Sequence, residues 1–127
     1  MSDAEWSLEA LDYIDKSTEL EIATERRDGT FRAWTPIWVV CAGGSVYVRT
    51  WYRRGTGWFG DAVRAGRARI RVPGLEAEVS IGDVGVGSAA LRDAIDEAYR
   101  EKYGSAGRSS MVGPTASATT LVLKPVI

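Results

Sequence analysis

Phosphate binding is the chemistry for which the residues around position 55 are best suited. Arg49-Thr50 comes first, Arg53 and Arg54 follow, and a glycine-rich run, Gly-Thr-Gly-Trp-Phe-Gly, occupies positions 55–60. Guanidinium and hydroxyl groups bind phosphate oxygens, and a glycine loop at the start of a helix presents backbone N–H groups to an anion. We therefore predict an anion site in this segment. The alternative is a glycine-relaxed surface loop with solvated arginines.

The run at 55–60 also has the spacing G-x-G-x-x-G of dinucleotide-binding sites. Such sites require a parallel βαβ unit with a longer helix, whereas the helix predicted here lasts about two turns between hairpin-forming strands. We therefore interpret this run, and the similar run at 85–90, as a turn and helix start.

Four tryptophans lie in the same region: Trp34, Trp38, Trp51 and Trp58. A planar cofactor can stack on such rings, but tryptophans of a barrel core or a dimer interface give the same pattern. We interpret Trp38 as a residue of the barrel core or of a dimer interface. Trp51 and Trp58 flank the glycine loop and are the candidates for ligand contact.

The sequence has no histidine and one cysteine, Cys41. This composition excludes Ser-His and Cys-His nucleophile pairs, histidine metal sites, histidine haem ligation and an internal disulfide, and we predict no metal site. Cys41 lies in an apolar stretch with no base beside it, and we expect it to be buried and inert. Tyr99, Lys102 and Tyr103 have the side-chain types of an acid–base pair, but a helix end with Lys102 near its C-terminus explains them as well.

Charge is unevenly distributed in a chain whose net charge is −1. Residues 1–25 contain eight acids and one base, whereas residues 49–71 contain seven arginines and one acid. The basic half suggests a local anionic ligand, and the alternative is a solvated face with the acidic segment packed nearby. The small net charge argues against nucleic-acid binding, and no apolar run is long enough to span a membrane. The acidic start, without an apolar signal core, predicts a cytoplasmic protein.

The surrounding pattern predicts the elements that position these residues. Strands are predicted at 19–25, 35–42, 45–52, 67–72, 75–81 and 119–124, and helices at 7–16, 58–65 and 88–103. Gly43-Gly44 makes a hairpin of the second and third strands. Hairpins require antiparallel pairing, and about six such strands close most simply as a small barrel. We predict a mainly β protein with flanking helices and a single domain, 1–127, with an N-terminal helical arm (1–18) and a barrel with inserted helices (19–125).

Two of the predicted helices have recognisable ends. Ser7 is the expected N-cap of the first helix. Ser88 is expected to cap the last helix, and Gly104 to end it. The apolar stripe of the last helix is predicted to consist of Leu91, Ala94, Ile95, Ala98 and Tyr99.

A series of short motifs resembles the split-barrel flavin- and deazaflavin-binding proteins. In chain order these are Asp28-Gly29, Arg32, Thr35-Pro36-Ile37-Trp38-Val39-Val40, Val46-Tyr47-Val48-Arg49-Thr50, Gly57-Trp58, and Gly66 before a short basic strand. They are similar to FMN- and deazaflavin-dependent reductases related to pyridoxamine-phosphate oxidase. Residues 95–104 and 119–125 resemble an uncharacterised bacterial family of that fold. The resemblance covers about residues 19–125.

The resemblance implies a small antiparallel split β-barrel that forms a homodimer and acts on a small molecule as an oxidoreductase. In the reductases, the hairpin strand and the loop after it hold the cofactor phosphate. Carried over, and with Trp51 added from the tryptophan cluster, the cofactor-binding residues are Arg32, Thr35, Arg49, Thr50, Trp51, Arg53, Arg54 and Trp58. The implied cofactor is FMN or the deazaflavin F420, and no catalytic residue is identified. The alternative is a cofactor-free enzyme or a small-molecule-binding protein on the same fold.

Overall fold

The chain forms seven described strands and three helices. The computed structural model describes residues 6–49, 57–85, 89–104 and 120–126. The helices are α1 (Leu8–Lys16), α2 (Gly57–Ala65) and α3 (Ala89–Tyr103). The strands are β1 (Leu20–Thr24), β2 (Thr35–Ile37), β3 (Val39–Ala42), β4 (Ser45–Val48), β5 (Arg67–Val72), β6 (Leu75–Gly85) and β7 (Thr120–Pro125).

All described strand pairs are antiparallel, in the order β2-β1-β5-β6-β7-β4-β3. The two edge strands, β2 and β3, are consecutive in the chain and are separated by one residue, Trp38. The sheet therefore curls into a nearly closed barrel whose open seam lies at Trp38. This confirms the predicted antiparallel barrel with flanking helices.

The prediction of one continuous strand over residues 35–42 is wrong. The run divides at Trp38, and its first half pairs with β1 while its second half pairs with β4. Pro36 has no N–H for a ladder, and the chain must pass from one edge of the sheet to the other. An apolar run does not reveal that its halves have different partners, and this division explains why the structure has seven strands instead of about six.

The barrel interior is filled by alternate residues of its strands, the period expected of strands with one buried face. Its buried apolar residues include Ile22, Val39, Val46, Ile70, Val79 and Leu121. Ile14 of α1 and Phe59 of α2 add to the same cluster from the two flanking helices. Ser7 caps α1 as predicted, because its hydroxyl accepts a hydrogen bond from the Ala10 N–H at 3.1 Å.

Helix α3 covers the outer face of β3, β4 and β7. Ile95 and Tyr99 pack there against Val40 and Tyr47 in a second buried cluster. Both α3 residues belong to the predicted stripe, but Ala94 is exposed and Asp96 is buried in its place. The buried face of α3 is therefore rotated toward Asp96, and the predicted Ser88 cap lies outside the described residues.

Local turn chemistry follows the sequence closely. Gly43 and Gly44 both have positive φ, 57° and 80°, which is the requirement of a tight two-residue hairpin turn between β3 and β4. Gly66 has φ of 72° and follows the last residue of α2. Strand β6 continues to Gly85, beyond the predicted end at Ile81, and a bulge between Asp83 and Gly85 bends it along β7.

Candidate functional site

The predicted anion segment begins where β4 ends and finishes at the start of α2. Four of the predicted cofactor-binding residues, Thr50, Trp51, Arg53 and Arg54, lie outside the described residues. The other four are described: Arg32, Thr35, Arg49 and Trp58. Helix α2 starts at Gly57 and has no acidic residue in its first turn, so no acid of that turn neutralises its positive end.

Arg49, which directly follows β4, is turned inward beneath α3. It is 1% exposed, and its Nη1 lies 2.5 Å from Oδ1 of Asp96. Its Nε donates a hydrogen bond to Oγ1 of Thr120 at 2.8 Å, and its guanidinium lies 5.5 Å from the ring centroid of Tyr99. The side chain therefore joins β4 to α3 and to the first residue of β7.

Asp96 and Thr120 were missed by the sequence analysis. Burying a guanidinium is costly unless a carboxylate and hydrogen-bond acceptors compensate it, and these two residues supply that compensation. The signal available in the sequence was weak: an acid next to Ile95 and three residues before Tyr99, on a helix with many other acids. Nothing local indicates that its partner lies 47 residues away.

Arg32 and Trp58 are brought to the same helix. Nε of Arg32 lies 2.5 Å from Oδ2 of Asp61, three residues after Trp58 in α2, and this contact lowers the pKa of the Asp61 carboxyl. Arg64 contacts the other oxygen of Asp61 at 3.5 Å. Trp58 is half-buried, with its ring edge-on to Phe59 at 5.6 Å. Arg32 is therefore held against α2 by an acid of the chain.

Thr35 lies at the start of β2, apart from these contacts. Its hydroxyl donates to the carbonyl oxygen of Ala33 at 3.3 Å. Among the described residues, the structure thus places Arg32 against α2, the helix that contains Trp58, and Arg49 beneath α3. Thr35 is joined to neither group by a hydrogen bond of its side chain.

The arginines of β5 form a row of separate ion pairs on the outer face of the sheet. Arg67 pairs with Glu25, Arg69 with Glu76 and Arg71 with Glu21, at 3.0, 3.2 and 2.9 Å. The guanidinium of Arg71 also lies 4.2 Å from the ring centroid of Trp34. These pairs match the interpretation of the basic half as a solvated face with acidic residues nearby.

Lys102 and Tyr103, at the end of α3, bind the seam of the barrel. Nζ of Lys102 donates to the carbonyl oxygens of Val39 at 2.9 Å and Ile14 at 3.3 Å. The Tyr103 hydroxyl accepts from the Val39 N–H at 3.0 Å and donates toward the Thr18 carbonyl oxygen at 2.7 Å. Lys102 lies in the last turn of α3, as predicted, and its ammonium also binds α1 and β3.

Burial shifts the pKa values of this group in the directions expected for neutral forms. It lowers the pKa of Lys102 and raises the pKa of Tyr103 to about 12. The ring of Trp38 stacks on Tyr103 with centroids 4.3 Å apart. Trp38 is half-buried and packs against the second buried cluster, outside the barrel interior.

A cavity of about 800 Å³ lies between α1, β1, β2 and the β5–β6 turn. It is lined by Tyr13, Lys16, Ser17, Thr18, Glu19, Glu21, Pro36 and Pro73. None of these belongs to the predicted site. Within the described ranges there is no group of three or more side chains suited to a metal ion, and no helix is long and apolar enough to cross a membrane.

A family model described as an uncharacterized protein conserved in bacteria (DUF2255) matches residues 10–123. Among curated proteins, none matches the sequence.

Solved structures with similar folds include three bacterial proteins. The heme storage protein HutZ from Vibrio cholerae has a TM-score of 0.71 at 11% identity, over 94% of this chain and 89% of HutZ. A proposed pyridoxamine 5′-phosphate oxidase from Listeria innocua has a TM-score of 0.60 at 12% identity, over 93% and 90%. A NimC/NimA family protein from Clostridium acetobutylicum has a TM-score of 0.59 at 15% identity, over 91% and 79%. At these identities the likeness establishes the split-barrel fold that the motifs predicted.

Proposed function

Because the chain belongs to DUF2255, a bacterial family described as uncharacterised, we propose a function from its own residues: it binds a small anionic molecule where the 50–56 segment meets α2. The first candidate for that molecule is FMN or the deazaflavin F420, which would make the protein an oxidoreductase. The fold is compatible with this class of ligand, but fold does not fix function. The residues of the segment therefore carry the proposal.

The observation that supports it most directly is the position of α2. The helix begins at Gly57, immediately after a segment that contains Arg53 and Arg54, and its first turn is free of acids. Backbone N–H groups at a helix start favour a phosphate, and arginines can bind it through two hydrogen bonds. We propose that Thr50, Arg53 and Arg54 bind the phosphate group.

The same proposal gives the aromatic residues and the neighbouring strand a role. Trp51 and Trp58 would contact the ring system of the ligand, and Arg32 and Thr35 would complete the pocket from the side of β2. A flavin or deazaflavin supplies the hydride chemistry when bound, and the chain supplies binding and orientation. We also propose, from the family resemblance, that the ligand lies between two subunits of a homodimer.

The direct test is a titration of the purified protein with FMN, FAD and F420, followed by absorbance and tryptophan fluorescence. We expect saturable binding of FMN or F420, and the spectrum of the protein as purified should already report any ligand that it retains. No binding of any of the three would overturn the cofactor proposal.

The contribution of the segment is tested with paired arginine variants. We expect the double variant Arg53→Ala/Arg54→Ala to weaken affinity at least tenfold, because two phosphate contacts are lost. The matched control is Arg27→Ala/Arg92→Ala, which removes the same charge from exposed or half-exposed positions elsewhere. An equal loss in both variants would indicate a general charge effect instead of a phosphate site.

A second candidate is a cofactor-free enzyme or a small-molecule-binding protein. It is favoured by one observation: the two described arginines of the predicted site, Arg32 and Arg49, are already paired with Asp61 and Asp96. Fewer cations are then available to a phosphate. A protein that binds none of the three cofactors, yet shows a change in melting temperature with small carboxylates or other metabolite-sized anions, would support this candidate.

A further inference from the structure

The anion bound by Arg49 comes from the chain itself. We infer that the Asp96 carboxylate takes the place of a ligand anion at Arg49, so that Arg49 holds the end of β4 to α3 and β7 and does not contact the ligand. The first half of this inference stands on the geometry around Arg49. The second half rests on the proposed function, because it concerns where the ligand's anionic group is bound.

Arg49 and Asp96 form a buried ion pair. The side chain of Arg49 is 0% exposed and that of Asp96 is 11% exposed, and their contact is 2.5 Å long. A phosphate at Arg49 would have to displace Asp96 and leave its carboxylate buried without a cation, which is strongly unfavourable. The described residues around Arg49 therefore do not fit a phosphate group there.

Two further contacts hold the Arg49 side chain in place. Nε of Arg49 is bonded to Thr120, and the guanidinium lies over the Tyr99 ring. Asp96, Thr120 and Tyr99, the partners named here among the described residues, come from α3 and β7, so one side chain ties the end of β4 to two other elements. A planar guanidinium with several fixed partners has a defined orientation.

Arg49 lies next to the proposed site in the sequence. It follows the last residue of β4 and directly precedes the 50–56 segment. Although Arg49 adjoins the proposed site in sequence, its side chain is committed to α3 and β7, so removal of the pair should leave ligand binding intact.

Chemical rescue tests the first half without any cofactor. Asp96→Ala removes the carboxylate and leaves a space beside a buried guanidinium. We expect formate or acetate to raise the melting temperature of this variant by several degrees more than chloride at the same ionic strength, with saturation. The controls are wild-type protein and Asp93→Ala, an exposed acid on the same helix, neither of which should respond. A variant that responds to carboxylates no more than the controls would overturn the inference.

A second variant covers the case in which Asp96→Ala does not fold. In Arg49→Met/Asp96→Leu the pair is replaced by apolar residues of similar size, a change that proteins tolerate better than loss of one partner. We expect this double variant to melt at a higher temperature than Arg49→Met and Asp96→Leu individually. A double variant less stable than both single variants would contradict a mutually compensating pair.

The second half is tested with the same double variant and FMN or F420. If wild-type protein binds one of them, we expect the Arg49→Met/Asp96→Leu variant to bind within about threefold of wild type, whereas Arg53→Ala/Arg54→Ala loses at least tenfold. Loss of binding in the folded double variant would show that Arg49 contacts the ligand. If wild-type protein binds neither cofactor, the proposed function fails while carboxylate rescue still decides the first half.

Discussion

The surroundings of Cys41 lower the reactivity of its thiol. It lies in β3 with its Sγ 3.9 Å from the Leu11 carbonyl oxygen, and burial raises the pKa of the thiol to about 11. Since the thiolate is the reactive form, the folded protein keeps this cysteine in its unreactive state at neutral pH. Our expectation of an inert cysteine therefore has a physical basis in the structure.

We expect Cys41 to react with a disulfide reagent at pH 8 about a hundredfold more slowly than the same thiol in urea, because its pKa of about 11 replaces the ordinary 9.0. A raised folded-state pKa means that the folded state holds its proton more tightly. The corresponding stability is complete below pH 9 and is lost as the pH rises through about 11. Equal rates in folded and unfolded protein would contradict the shift.

Single residues also show where sequence reasoning ends. Arg49 is predicted to bind phosphate because it lies near a glycine loop in the sequence. That prediction uses only residues close to it along the chain. Its partners, Asp96 and Thr120, are 47 and 71 residues away. Which acid reaches a given arginine depends on how α3 is rotated on the sheet. That rotation follows from the packing of Ile95 and Tyr99. The spacing of apolar residues in the sequence predicts it only approximately.

At the scale of elements, the end of α3 fastens the seam between β2 and β3. The Tyr103 hydroxyl binds the backbone of Val39 and Thr18, and Lys102 binds the carbonyl oxygens of Val39 and Ile14. These contacts satisfy backbone groups at a point where the sheet ladder is interrupted at Trp38. The last turn of α3 thus provides hydrogen-bond partners for backbone groups at the seam, as a neighbouring strand does within the sheet.

We expect Tyr103→Phe to lower the free energy of unfolding by about 1–2 kcal/mol, because it leaves backbone groups at the seam without a partner. The ring and its stacking on Trp38 are retained, so the loss isolates the hydroxyl. Tyr13→Phe is the matched control, since the Tyr13 side chain is 39% exposed. Urea unfolding measures both, and equal values would mean that the hydroxyl contributes little.

Elements were predictable to the extent that their signals are local. Helix α1, the Gly43-Gly44 hairpin and strand β5 follow from a cap, two turn glycines and strict alternation, all within a few residues. The division of residues 35–42 was not predictable, because both halves are apolar and β-branched and differ only in their distant partners. Barrel closure is decided by those partners.

At the scale of the whole molecule, we expect a homodimer of 27.6 kDa, twice the 13.8 kDa of the chain. The reason is that the family resemblance implies a cofactor between subunits, in which case a second copy would complete each site. Light scattering after gel filtration measures the mass, and dilution should release ligand and subunits together. A mass of 13.8 kDa at high concentration with ligand still bound would contradict a shared site.

The one-residue connection at Trp38 has a consequence for how the chain folds. The barrel is complete only when β1 has paired with β5 and β4 with β7, pairings that join residues far apart in the chain. Contacts of such long sequence separation form slowly, because loop closure costs entropy before the contacts reward it. Barrel closure is therefore expected late in folding, and until then the edges of β2 and β3 are open. Both edge strands are short, and one contains Pro36, which limits the pairing of these edges with another chain during that interval.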